Sequence, residues 1–425
     1  MNFSFKISKY VFAPIWLLTA IYLLLELFYK YFISAKYFYM GYTWEPNYLK
    51  WTISKFFFIW FILFFNYMQK RSSFLFGIYL VLLFFFYIPN AVLFALGNFP
   101  YAPFLSNVFF VSCFLLSPLI KFNVPKVLTP EKFRALVMFI VPAVCIIPII
   151  ITFRSDININ TLLLREIYST REVFSAKIAG VNNYLYNFLA KTFIPIGLIY
   201  FLIHRKHFLV AGMAALLLYL FLISGNKLVY LTTLILVLFY IAGKTYEQKT
   251  SRFLFLIIIA FISFPLLDYT YLPEPVLTGT FVNRFLFIPA LLTQDYFDFF
   301  AGKPLLFAET HFLNFFAASP YNKPVGFLIS ELYFNAPDSF ANNGIVSDGF
   351  MNLGYWGVAI FSLFFTSLFA LFNSFKIHPG FFGVFFSYIY IMLSAPLFTC
   401  LITGGVLIFV VYCFTLLGSD KRVIE

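Results

Sequence analysis

Charge is scarce in this chain. Only 11% of its 425 residues are Asp, Glu, Lys or Arg, about half the usual share, which excludes an ordinary soluble domain. Cysteine is nearly absent. Cys113, Cys145, Cys400 and Cys413 all fall in apolar runs and form no Cys-x-x-Cys pair, so neither a disulfide framework nor a thiolate metal site is expected. Only four histidines occur and no carboxylate cluster stands out, so no metal and no cofactor are expected. Internal repeats and low-complexity linkers are missing too, and residues 1–425 are read as a single transmembrane domain.

What fills the chain is apolar: 62% of residues are hydrophobic and 23% aromatic. Runs of bilayer-spanning length recur throughout. They predict an all-α polytopic membrane protein with eleven or twelve transmembrane helices. The expected spans are 10–32, 52–68, 74–96, 101–120, 133–153, 184–203, 208–223, 228–243, 253–268, 353–373, 380–395 and 397–417. Lys6 and Lys9 precede the first run as in a signal peptide, but the run is too long and lacks a small-residue cleavage site, so it reads as a retained span.

The net charge of +12 is topological. With both termini cytoplasmic, the cytoplasmic segments hold sixteen basic residues and four acidic ones, as the positive-inside rule requires. The outer side is nearly balanced, and nucleic acid is excluded as a partner. Two long segments, 154–182 and 269–350, then face the outside, which for a bacterial inner membrane is the periplasm. The second is expected to hold amphipathic helices.

In the first segment, residues 161–181 have helical periodicity. Leu164, Ile167, Phe174, Ile178 and Val181 form an apolar stripe, and Arg171 falls on it. An arginine there either snorkels or meets a buried anion. Arg165 lies on the opposite, polar face. In the second segment, Pro289 is expected to open a helix at its first turn. Arg284 then sits just before it, offering a planar fork to a diphosphate or pairing with Asp295 or Asp298. His311 is the one external histidine, with an ordinary pKa suited to proton transfer near neutrality. The run from Phe340 to Gly357 contains an Asn342-Asn343-Gly344 turn. In it, Asp348 or Asn352 is expected to cap the following span, and Gly354 and Gly357 offer a small face for close packing. Asp348 could instead orient a hydroxyl nucleophile. Glu26, Lys191 and, at the edge of its span, Lys227 are ionisable groups at membrane depth, where charge is functional by default.

These strings resemble the Wzy-type O-antigen and oligosaccharide repeat-unit polymerases. The resemblance covers about residues 160–375. It rests on Ser224-Gly225-Asn226-Lys227 opening a span. It rests also on Arg284 with Pro289 and a Tyr/Phe-rich helix (Tyr296, Phe299, Phe300), and on Asn342-Asn343-Gly344 through Asp348-Gly349-Phe350 into Asn352-Leu353-Gly354-Tyr355-Trp356-Gly357. Some members carry Arg followed by Gly eleven positions on. Here Gly180 lies nine after Arg171 and Asp295 lies eleven after Arg284, so that spacing is not kept.

The resemblance implies metal-independent transfer of a growing glycan from polyprenyl diphosphate onto a lipid-linked repeat unit, at the periplasmic face of the inner membrane. It implies Arg171, Arg284, Lys227 and Arg165 as diphosphate contacts, and His311 or Asp348 as the base, with Arg284 at the reacting centre. It implies Asn342, Asn343 and Tyr296 as glycan contacts. The partners it implies are polyprenyl-diphosphate-linked oligosaccharides, membrane lipids, a flippase and a chain-length regulator. An O-antigen ligase would use the same donor with a lipid A–core acceptor. A lipid-linked oligosaccharide flippase or transporter would instead line a cavity within its spans with charge.

Overall fold

The computed structural model describes residues 9–125, 127, 129–163, 166–272, 274–310 and 317–418. Among them every regular element is helical. The helices are α1 (Ala13–Lys36), α2 (Tyr48–Arg71), α3 (Ser73–Leu96), α4 (Tyr101–Leu119), α5 (Glu131–Phe153), α6 (Ile167–Lys177), α7 (Val181–Ile203) and α8 (His207–Ser224). They continue as α9 (Lys227–Ile241), α10 (Tyr246–Tyr271), α11 (Val276–Phe299), α12 (Val325–Phe334), α13 (Ile345–Ser374), α14 (Pro379–Ser394) and α15 (Leu397–Leu417). Eleven of these, all but α6, α9, α12 and α14, are long and apolar enough to cross a membrane. The chain is an all-α, multi-pass membrane protein. The spans expected at 228–243 and 380–395 are the shorter helices α9 and α14.

The chain groups into two compact units. The first comprises Met1–Phe122, Thr245–Asn373 and Met392–Leu397. Its centre is α3, whose spanning stretch is entirely buried. That is why α3 is apolar on every face rather than along one stripe. Aromatic rings fill its surroundings: Phe94 stacks on Phe104 with centroids 4.1 Å apart, and Phe110 packs on Phe365 at 4.9 Å. The intramembrane Glu26 is not alone. It pairs with Lys55 at 2.8 Å and accepts the Trp51 indole N–H, so charge at this depth is neutralised within α1 and α2.

One end of this unit is tied by hydrogen bonds. The amides of Glu45 and Asn47 donate to Leu96 and Ala95, and the Lys50 ammonium donates to the carbonyls of Asn98 and Phe99. Ser72 and Asn373 meet at the opposite end, 2.6 Å apart.

Two corrections concern the helix bounds expected within residues 269–350. Residues 276–299 form α11, apolar enough to rank among the candidate spans. Its first turn lies against Tyr37, and its Asn283 accepts a hydrogen bond from Tyr42. Further along, Gln294 reaches Asn90 on α3, and Phe297 stacks on Phe350. Directly after α11, the Leu305 and Leu306 amides donate to the carbonyls of Met351 and Asn352. Tyr355 and Trp356 share a cavity wall with Ala102 and Leu105 at the start of α4, which places this stretch at the tied end. Both ends of the helix therefore lie at one end of the unit. Pro289 stands in the first turn of its α-helical part, Ile288–Phe299, as expected, but the helix does not begin there. A nine-residue π-helical stretch, Gly279–Phe287, runs straight into Ile288, and its wider turn accommodates the proline ring and the missing amide.

The second correction concerns α13, which starts eight residues earlier than expected and is folded over. Leu353 and Gly354 leave helical geometry, with Gly354 at φ 60. In a straight helix Gly349 and Gly357 would lie about 12 Å apart. Here a Cβ on Gly357 would sit 1.9 Å from the Gly349 carbonyl oxygen. The short arm 345–352 thus runs back along the long arm, whose twenty residues still reach about 30 Å. Gly357 serves close packing as expected, but its partner is the chain's own preceding turn.

The second unit comprises Asn123–Lys244, Ser374–Ile391 and Phe398–Glu425. Its α7 is held to α14 by Thr192 and Tyr388, whose hydroxyls are 2.8 Å apart. Lys191 sits in the adjoining π-turn of α7 and forms no ion pair among the described residues.

Candidate functional site

The second unit seats Arg171. Helix α8 ends at Ser224, and Gly225 follows in the left-handed region at φ 58. The Tyr186 hydroxyl donates to Ser224 Oγ at 2.8 Å, and the Asn226 amide donates to the same oxygen at 3.1 Å. This fixes the turn, and Arg171 Nε donates to the Gly225 carbonyl at 3.1 Å. The two terminal guanidinium nitrogens remain for another acceptor. A Cβ at residue 225 would lie 2.8 Å from the Ile167 carbonyl oxygen, so glycine is required for both its φ and its clearance. Lys227 begins α9 two residues on, and it is exposed. The arrangement answers why an arginine lies on the apolar stripe of α6. Ile167 is buried and Phe174 packs between Phe153 and Tyr186, which turns Arg171 toward the 224–227 turn.

The rest of this segment is held by its own polar groups. Lys177 pairs with Asp156 at 2.7 Å. Glu166 accepts from Asn158 and Asn160, and Asn158 also reaches Thr170. The expected helix 161–181 is shorter than its periodicity suggested. Residues 159–163 are 3-10, and Glu166 adopts a left-handed conformation. Arg165 lies outside the described residues.

In the first unit, Arg284 is on α11, exposed, with no ion pair among the described residues. Neither aspartate weighed as its partner reaches it. Asp295 lies eleven residues further, about 16 Å along a helix. It is buried, and its Oδ2 has no hydrogen-bond partner. Asp298 instead accepts the Tyr333 hydroxyl at 2.6 Å.

Asp348 is a brace. Its Oδ1 accepts from Asn352 Nδ2 and its Oδ2 from the Leu397 amide, at 2.9 and 2.7 Å. It therefore satisfies an otherwise orphan amide at the start of α15, and it is only 3% exposed. Asn352 does not cap the long arm of α13 either. Its Oδ1 accepts the Phe307 amide, pinning the chain that leaves α11. Tyr296 is buried with its hydroxyl donated to the Ala341 carbonyl, and Asn343 is buried with its amide on Met351. Of the three residues assigned to the glycan, only Asn342 is exposed.

His311 lies outside the described residues. Its neighbour Glu309 does not. That carboxylate accepts the Val325 amide at 2.7 Å and so caps α12. Partial burial raises its pKa, and the bond to Val325 opposes the rise. Its capping role was hidden because Val325 is sixteen residues away. Among the described residues no group of His, Cys, Asp and Glu could hold a metal. No family model, no curated protein and no solved structure matches the chain.

Proposed function

We propose that the chain is a glycosyltransferase of the repeat-unit polymerase kind, acting at the periplasmic face of a bacterial inner membrane. One observation carries the reading. Asp156, Glu166, Asp298, Glu309, Glu331 and Asp348 are each engaged by amides, hydroxyls or lysines. Arg171, Lys227 and Arg284 have no carboxylate partner among the described residues. Unpaired cations, two of them with a bidentate fork, suit a diphosphate.

On this reading the bond between the anomeric carbon of the growing glycan and its polyprenyl diphosphate breaks. The acceptor hydroxyl oxygen of a lipid-linked repeat unit forms the new bond. The electron pair leaves with the diphosphate, where preorganised cations stabilise the developing charge. The acceptor proton goes to a base. His311 takes that role, because both oxygens of Asp348 are already bound to N–H groups. Purified protein incubated with a synthetic polyprenyl-diphosphate-linked repeat unit should yield a ladder of products. A single unchanged band with a competent repeat unit would remove the proposal. One transfer to a lipid A–core acceptor, with no ladder, would indicate a ligase.

Transport is the second reading, and Lys191 favours it: a cation in the middle of a span marks translocation paths in many carriers. Movement of labelled lipid-linked oligosaccharide across proteoliposomes, abolished by Lys191→Met, would support it over transfer.

A further inference from the structure

Helix α11 is long and apolar enough to cross a membrane, yet its contacts put it elsewhere. Crossing the hydrocarbon core takes about 30 Å of depth. Near the start of α11, Gly279 lies against Tyr37, and Asn283 accepts from Tyr42. Both tyrosines belong to the stretch that joins α1 to α2 at the tied end of the first unit. Near the end of α11, Phe297 stacks on Phe350 at 3.9 Å, and Phe350 packs on Tyr355 at 5.3 Å. Tyr355 lines one cavity with Ala102 and Leu105, in the first turns of α4, and this too is the tied end. Residues 279 to 297 cover roughly 25 Å as helix. That length therefore runs across the unit and not through it. Between the two ends, Gln294 meets Asn90 of α3, which is only six residues, about 9 Å, short of Leu96 at the tied end.

An apolar helix in this position is covered in two ways. From Pro289 to Phe297 every residue is buried, and the cover is protein, with Tyr296 bonded to the Ala341 carbonyl and Phe297 under Phe350. The first half differs. Phe281, Arg284, Phe285 and Ile288 recur at the spacing of one helical edge. Arg284 is exposed and the other three are half-buried. Phe281 stacks with Phe285 at 5.5 Å and meets Phe264 of α10 at 4.5 Å. Tyr39, Tyr48, Tyr355 and Trp356 stand exposed around the same end. Tyrosine and tryptophan collect where hydrocarbon gives way to head groups.

We propose that α11 does not cross the membrane but lies in its plane at the tied end, with the Phe281–Ile288 edge set in the phospholipid head-group layer. Two aromatic rings flanking an arginine suit that layer, because the rings take the apolar side and the guanidinium takes the phosphates. The inference rests on the contacts of α11 alone and holds whether or not the chain is a transferase.

The test measures depth in the full-length protein, reconstituted in phosphatidylcholine nanodiscs. Spin labels are placed by Phe281→Cys, Arg284→Cys and Ile288→Cys, and on α10 by Ile259→Cys and Tyr269→Cys, both exposed positions. The wild-type protein, with its own cysteines, supplies the background. Accessibility to oxygen against a water-soluble nickel chelate reports how deep each label sits. The three α11 labels should agree within about 5 Å, one helical turn, and match the label at 269. The label at 259 should sit about 15 Å deeper than the one at 269. If α11 crossed the membrane, the label at 288 would lie about 10 Å deeper than the one at 281, and that result would overturn the proposal. Labels closed to both reagents would mean that a protein neighbour, such as a second copy of the chain, covers the edge, which overturns it as well. Hydroxyl-radical footprinting of the unsubstituted protein gives a second reading. Phe281 and Phe285 should be oxidised while Phe255, at mid-span on α10 and exposed, is protected by lipid. Equal protection of all three would count against the head-group position.

Discussion

The segments 154–182 and 269–350 solve the same problem in opposite ways. Residues 154–182 stay polar and short, and they order themselves through Asp156–Lys177 and the asparagines around Glu166. Residues 269–350 bury themselves. Both ends of α11 lie at one end of its unit, and Asp348 ties the short arm of the folded α13 to Leu397. The first segment positions its arginine by a single bond to a glycine carbonyl. The second leaves Arg284 exposed on a helix whose Asn283, Gln294 and Asp295 are turned inward. What the pair teaches is that the acids in both are mostly structural while the arginines are not.

The sharpest way to break this comparison is at Asp348. Asp348→Ala leaves the Leu397 amide and one side-chain N–H of Asn352 unsatisfied inside the protein, at about 1–3 kcal/mol each. The expected outcome is loss of monodisperse protein on size exclusion. A stable, active variant would show that Asp348 is no brace. Next comes the cationic seat. Gly225→Ala should cost about 1–2 kcal/mol in backbone strain alone and push Ile167 away. The ladder assay should then fall about as far as with Arg171→Ala, roughly a hundred-fold. Arg284→Ala should have a similar effect on the ladder with no change in thermal unfolding, since nothing in the described structure pairs with it. A wild-type ladder from any of these three variants would remove that residue from anion binding.

Glu309 gives a smaller, pH-dependent effect. Its folded pKa is raised by burial, so the folded protein holds this proton more tightly than the unfolded chain. The local stability of α12 should therefore fall as pH rises from the ordinary carboxyl range through the raised value. Glu309→Gln keeps an acceptor for Val325 but does not titrate. Hydrogen exchange at residues 325–334, corrected for intrinsic rates, should lose its pH trend in that variant. Tyr333→Phe should be smallest, about 1 kcal/mol or less, because Asp298 is exposed and water can replace the hydroxyl.

The spans were readable because apolar length is a strong local signal. Of α11 the sequence showed only the part that Pro289 opens, because Asn283 and Arg284 interrupt the apolar pattern before it. The π-helical stretch that makes room for that proline has no signature in composition. Arg171 was visible as an anomaly on its stripe, yet its seat on Gly225 lies 54 residues away. Asp348 looked like chemistry for the same reason. Its partner Leu397 is 49 residues on, and a lone carboxylate beside a turn looks free until that amide arrives.

The crossing of Gly349 over Gly357 has a consequence for divergence. Each position is closed to any side chain while the other backbone stays where it is. A chain descended from this one cannot lose either glycine alone without prying the two arms of α13 apart. That would draw Asp348 off Leu397. The two positions should drift together or not at all, and in a set of relatives they would mark which members keep the folded-over arm.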